Sequence, residues 1–132
     1  MTDVPAALVE AADLALADLR DRGQPDVRLD FQPAPDDARS WRVDAVFADM
    51  TVGFEVAVAP QPSSALTVAV ADGLQQAFIE HLWQARPVCL LHEHPLSAED
   101  AEGQARWSCP TTGVWSCPIG TYHETIDRDG RD

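Results

Sequence analysis

Lysine is absent from this 132-residue sequence, and arginine alone supplies its nine basic side chains. The arginines stand singly among 22 aspartates and glutamates, which gives the chain a formal net charge of −13. Proteins that bind DNA or RNA normally present a cluster of basic side chains to the phosphate backbone. We therefore do not expect this chain to bind nucleic acid.

The acidity favours solubility and steers a basic partner toward the protein. A second explanation is the coding habit of the host, because missing lysine together with abundant alanine, arginine, aspartate and valine is typical of high-GC codon usage. Both explanations agree with a globular protein of ordinary apolar content, here 45% of residues.

Long hydrophobic runs are also missing. No stretch reaches 18 consecutive apolar residues, so the sequence predicts no membrane-spanning helix and no membrane partner. The first residues carry acids where a signal peptide needs basic side chains, which predicts a cytoplasmic protein. In a reducing cytoplasm, three cysteines are expected to be free thiols or metal ligands rather than a disulfide framework.

The length favours one structural unit with one core. Within it the residue pattern predicts an α+β core domain at 1–86 and a Cys-, His- and Trp-rich hairpin at 87–123 that packs on this core. The remaining residues, 124–132, are charged and are expected to form a frayed tail.

Apolar spacing predicts a helix at 3–22, capped by Asp3, and a second helix from about Ser64 to Trp83. Gly73 lies inside the second helix and costs about 1 kcal/mol relative to alanine. The β-branched start of this segment, LTVAV, is open to a second interpretation as a short strand.

Three segments between the helices alternate apolar and polar residues, at 27–31, 41–47 and 52–58. Such alternation is typical of half-buried antiparallel strands. The resulting order α-β-β-β-α predicts an α+β fold of two layers, with the helices on one face of an antiparallel sheet and a C-terminal β-hairpin after them.

The segment that follows combines cysteine and histidine at metal-ligand spacing. Cys89 and His92 form a C-x-x-H pair, with His94 two residues later. Cys109 begins a Cys-Pro-x-x-Gly sequence with the outline of the second knuckle of a zinc ribbon, except that Thr112 replaces the expected cysteine. Zinc is held tetrahedrally by such side chains, so the sequence predicts a structural zinc site.

The candidate metal ligands are Cys89, His92, Cys109 and His94, with Cys117 as the alternative fourth ligand. The first interpretation of Cys117 is a buried core residue, because free cysteine is among the most buried residue types. Thr112 is a poor zinc ligand, and the choice between His94 and Cys117 therefore stays open at this point.

About 30 residues of the chain resemble a zinc ribbon. The chain also resembles small acidic proteins of high-GC bacteria that carry a C-x-x-H-x-H-P-L … W-x-C-P pattern, which here runs from Cys89 through Trp107 to Pro110. This resemblance implies a degenerate, zinc-ribbon-like C-terminal hairpin. It implies no activity.

The tetrapeptide Trp-Ser-Cys-Pro occurs twice, at 107–110 and 115–118. If the chain turns at Thr-Thr-Gly, Cys109 faces Trp115 and Trp107 faces Cys117 on one side of a hairpin. Cross-strand pairs of this kind stabilise a hairpin by roughly 0.2–1 kcal/mol each.

No nucleophile motif, phosphate-binding loop or His-Glu-x-x-His helix occurs in the sequence, and we assign no catalytic residue. The leading hypothesis is a non-enzymatic protein-interaction module. Acidic secretion chaperones and acidic immunity proteins of bacteria are similar to it in size, charge and element order, so we expect a protein partner, preferably basic, or a homodimer. The alternative hypothesis is a small metal-dependent enzyme that uses an open Cys/His zinc site.

Overall fold

The computed structural model describes residues 4–20, 27–58, 62–82, 87–89, 95–110 and 115–129. Within these ranges the chain forms three helices and six strands, which confirms the α+β class. In chain order they are α1 (Ala6–Leu19), β1 (Arg28–Pro33), β2 (Ser40–Val46), β3 (Thr51–Ala57), α2 (Ser63–Leu82), β4 (Ser97–Ala101), β5 (Gln104–Ser108), β6 (Ser116–Pro118) and α3 (Tyr122–Asp129).

Helix α1 is shorter than the predicted range 3–22. Its first turn follows Pro5, which occupies the N-cap position, and no side chain caps it. Asp3, the predicted cap, lies outside the described residues. One face of α1 is fully buried, as the apolar spacing predicts: Leu8, Ala11, Ala12, Ala15 and Leu19.

The three predicted strands of the first half are present, each within two residues of its predicted bounds. They form an antiparallel sheet in the order β1-β2-β3. In its register Val43 lies opposite Phe31 on one side and Phe54 on the other, so the apolar residues of the three strands share one face. That common face is the result of the period-two alternation in each strand.

Helix α2 begins at Ser63, so the interpretation of LTVAV as a strand is wrong. Close packing explains Gly73 in this helix, because a Cβ at its position would overlap the ring of Phe54 on β3. The missing side chain lets α2 approach the first sheet closely, which offsets its poor helix propensity.

A second antiparallel sheet, in the order β4-β5-β6, replaces the isolated hairpin predicted after the core. Its β5-β6 pair is that hairpin, and β4 adds a third strand through a tight turn at Glu102 and Gly103, both at positive φ. Strand β4 escaped prediction because its sequence, SAEDA, contains no β-branched or aromatic residue.

The C-terminal helix α3 occupies Tyr122–Asp129, where the sequence predicted a frayed tail from residue 124. Helix α2 contacts α1, β3, β4 and β5, and thereby joins the two sheets. The buried cluster includes residues from both predicted segments, for example Leu8, Leu74, Cys89 and Trp107. Among the described residues, no helix has the length and hydropathy that a membrane crossing requires.

Candidate functional site

Cys89 lies at the start of the chain segment that carries the predicted histidine ligands. An isolated antiparallel bridge joins Val88 to Pro95, and the Leu96 amide donates a 2.8 Å hydrogen bond to the Pro87 carbonyl. The described residues on the two sides of 90–94 are therefore joined at one place. Cys89 itself is fully buried. His92 and His94 lie outside the described residues.

The other two cysteines belong to the β5-β6 hairpin, and the predicted register is confirmed. Trp107 lies opposite Cys117, and the Cys109 amide donates a 3.0 Å hydrogen bond to the Trp115 carbonyl. Trp107, Cys109 and Cys117 are all buried in the core. Thr112, at the turn, lies outside the described residues.

The three cysteines form no disulfide, and their burial limits their chemistry. Burial, and after it the nearby charge of Asp18, raises the pKa of Cys117 to about 11. Arg106 and the hydroxyls of Thr121 and Thr125 act in the opposite direction on this pKa but do not compensate. Since the thiolate is the nucleophile and the metal-binding form, Cys117 is a poor nucleophile at neutral pH.

These positions agree with the first interpretation of Cys117, a packed core residue. Among the described residues, no three His, Cys, Asp or Glu side chains group as metal ligands. With His92 and His94 outside the described part of the chain, the four-ligand zinc set of the sequence analysis stays a prediction.

Asp18 is a site that the sequence analysis missed. Its side chain is only 3% exposed, and its carboxylate accepts three hydrogen bonds from the second half of the chain. The Trp107 indole donates at 2.8 Å, the Tyr122 amide donates at 3.0 Å, and the Gly120 amide also donates to it. Burial raises the pKa of Asp18, and the hydrogen bonds from Gly120, Trp107 and Tyr122 offset part of that rise.

The carboxylate of Asp18 lies at the N-terminus of α3, where free amide groups favour a negative charge. Gly120, just before the helix, has a φ of +104° and lies against Leu14 of α1. His123 adds a second connection, because its Nε2 donates a 2.8 Å hydrogen bond to the Arg20 carbonyl. The end of α1 is therefore fastened to the start of α3.

The sequence does contain one signal for Asp18. The residue follows Leu8, Ala11 and Ala15 at helical spacing, so it interrupts the apolar stripe that α1 buries. A buried acid on such a stripe requires partners, since an unpaired buried charge is costly. Which groups pair with it depends on residues about a hundred positions later, and the stripe does not reveal them.

The opposite face of α1 is a second surface with functional potential. A shallow groove of about 500 Å³ runs along it, lined by Ala6, Val9, Glu10, Asp13, Leu14 and Ala17. Val9 and Leu14 are large apolar residues that are 37% and 38% exposed. Helix α1 thus has apolar side chains on both faces, with two carboxylates along the outer one.

Comparison with protein-family models, with curated proteins and with solved structures finds no match to this chain. A functional assignment therefore depends on the geometry of these surfaces and sites.

Proposed function

We propose that this chain is a non-enzymatic protein-interaction module, of an adaptor, chaperone-like or immunity-like kind, that binds a basic amphipathic helix of a partner protein. The observation that carries the proposal is the outer face of α1, which exposes apolar side chains although the helix already buries its other face. Contiguous apolar surface rimmed by polar groups is typical of interaction sites.

The groove suits a helix of the partner, because the residues that line it recur along α1 at the spacing of one helical face. Val9, Asp13 and Ala17 lie about one turn apart along α1, with Glu10 and Leu14 beside them. A partner helix that crosses α1 would pack its apolar residues between Val9 and Leu14. The small Ala6 and Ala17 at the ends of the groove allow close approach.

The charge of the partner follows from the two carboxylates of the groove. Glu10 and Asp13 are exposed beside the apolar residues, in a chain whose net charge is −13. Lysine or arginine on the flanks of a partner helix would meet both carboxylates, and the overall field would accelerate the encounter. A basic helix therefore fits this surface better than a neutral one.

A second copy of the chain is the competing occupant, since the sequence also allows a homodimer. In a two-fold symmetric contact through α1, Glu10 and Asp13 would approach their own counterparts, because each copy uses the same patch. Like charges at close range oppose association. The groove therefore favours a basic partner over self-association.

The Cys-rich half has a structural part in this proposal. Zinc at Cys89, His92 and Cys109, completed by His94 or Cys117, would tie the 89–94 segment to the second sheet. A closed structural site adds folding stability and leaves recognition to the surface of the domain.

The test uses a fluorescent helical peptide with a leucine stripe flanked by lysines. We expect Val9→Ser to weaken its binding, while Met50→Ser, at a matched exposure of 37% but on a different part of the surface, leaves binding unchanged. Replacing both Glu10 and Asp13 with glutamine should weaken binding further and reduce its dependence on salt.

Equal affinity of the Val9→Ser and Met50→Ser proteins would contradict the assignment of the groove. Analytical ultracentrifugation of the unliganded protein distinguishes the occupants. A dimer that Val9→Ser dissociates would show that a second copy, and not a basic helix, covers α1.

A further inference from the structure

A cleft of about 320 Å³ opens beside the groove of α1. It lies where α1, the first turn of α2 and the edge of the second sheet meet. Glu10 and Leu14 line both the groove and the cleft, so the two form one continuous surface.

The two walls of the cleft differ in chemistry. The wall from α1 and the second sheet is aliphatic apart from Glu10, and its apolar members are Ala7, Ala11, Leu14, Ala105, Pro118 and Ile119. The other wall is polar and includes Ser63, Ser64 and Thr67 from the start of α2, with Gln104 at the edge. A ligand that fits both walls has an aliphatic part and a polar end.

Two hydroxyls of the polar wall offer hydrogen-bond acceptors. The Ser64 hydroxyl donates its proton to Asp100 at 3.1 Å, and the Thr67 hydroxyl donates its proton to the Ser63 carbonyl at 2.9 Å. Each hydroxyl has a single proton, so what remains free on these two oxygens is acceptor capacity. A ligand end that only donates hydrogen bonds matches these two oxygens.

The electrostatics of the cleft favour a cation. Glu10 is the charged residue among the described residues that line it, and the Asp100 carboxylate lies directly behind Ser64. Two groups oppose a cation: the N-terminus of α2, with about half a positive charge, and the Arg106 guanidinium, which donates a 2.6 Å hydrogen bond to Gln104. The two carboxylates together carry more charge than these two groups.

We infer that the cleft binds an arginine side chain of the partner, with the methylene groups on the aliphatic wall and the guanidinium directed to Glu10 and the hydroxyl oxygens. Guanidinium carries five N–H donors and no acceptor, which complements the two hydroxyl oxygens and the Glu10 carboxylate. The inference depends on the proposed function, because it names the side chain by which a basic helix in the groove is anchored.

The probe is Nα-acetyl-L-arginine amide, compared with its citrulline analogue, which has the same shape but no charge. Both are titrated into ¹⁵N-labelled protein and followed by NMR. We expect the arginine amide to shift the backbone amide signals of Ser64, Gly103 and Gln104 in a saturable way, and citrulline to leave them unshifted.

Glu10→Gln should weaken the binding of the arginine amide about tenfold, as expected for the loss of one charged hydrogen-bond partner. Glu55→Gln is the matched control, because it removes the same charge from the exposed face of β3. The affinity of this control for the arginine amide should equal that of the unmodified protein.

Shifts of equal size with citrulline, or equal weakening by Glu10→Gln and Glu55→Gln, would overturn the inference. The two proposals fail separately. If the helical peptide binds through Val9 while the arginine amide shifts no cleft signal, the cleft assignment is wrong and the groove assignment stands. If the arginine amide binds the cleft but the peptide does not bind at all, the proposed function is wrong.

Discussion

The Trp107 indole nitrogen donates a 2.8 Å hydrogen bond to the Asp18 carboxylate, across 89 positions of the chain. Both side chains are buried, and the bond joins the end of α1 to β5. The same carboxylate receives the amides of Gly120 and Tyr122 at the start of α3. One acidic side chain therefore connects three elements.

Asp18→Asn should destabilise the protein by about 1–3 kcal/mol, because the asparagine NH₂ group would face a donor that now points at a carboxylate oxygen. Asp13→Asn is the matched control on the exposed face of the same helix, and its effect should stay within about 0.5 kcal/mol. Urea denaturation measures both. Equal effects would show that the three hydrogen bonds contribute nothing specific to stability.

Raising the pH should weaken the fold through Cys117. Its pKa is raised from an ordinary value of 9.0 to about 11 in the folded protein. The stability that depends on the neutral thiol is fully present below pH 9 and is lost as the pH rises through 11, because the unfolded chain ionises first. The loss is worth up to roughly 3 kcal/mol.

Denaturation curves recorded between these two pH values measure the effect of Cys117. In the Cys117→Ala protein this part of the alkaline destabilisation should disappear, although the variant is less stable at neutral pH because it leaves a small cavity. The same pH dependence in both proteins would contradict the assignment.

Gly73→Ala should destabilise the protein although alanine is the better helix former. The helix gains about 1 kcal/mol in propensity, but the added Cβ overlaps the Phe54 ring, and such overpacking costs about 1–3 kcal/mol. Asp72→Ala, at the exposed neighbouring position, is the control without a clash.

A double-mutant cycle with Phe54→Leu locates the cause of this effect. Gly73→Ala should be less harmful when the ring is absent, because the smaller side chain leaves room for the Cβ. If the effects of the two substitutions on the free energy of unfolding are additive, the destabilisation does not come from the overlap with the Phe54 ring.

Protein purified without a histidine tag should contain about one equivalent of zinc by elemental analysis. Cys109→Ser should lose the metal and lower the Tm, whereas Cys117→Ser should keep the metal if Cys117 is only a packed core residue. If the purified protein contains no metal, and a chelator does not change its stability, the structural zinc site is refuted. An exchangeable water on a three-ligand zinc would instead favour the enzyme alternative.

Local sequence patterns predicted most of the fold. Period-two alternation located three strands of the first sheet, and the repeated Trp-Ser-Cys-Pro located the register that places Trp107 opposite Cys117. Strand β4 and helix α3 were missed, since β4 has the composition of a loop and α3 begins only where Asp18 and Tyr122 meet. Neither element has a clear signal in its own local sequence.

The sequence by itself determined the acidity, the class of fold, the buried stripe of α1 and the strand faces, because these depend on side-chain periodicity over a few residues. Tertiary structure alone decided which groups satisfy Asp18, why Gly73 stands inside α2, and that Glu10 and Leu14 join a groove to a cleft. Those features arise where segments distant in the sequence pack together and exclude water. Only after these segments have met does burying a charge cost free energy or close packing stabilise the fold.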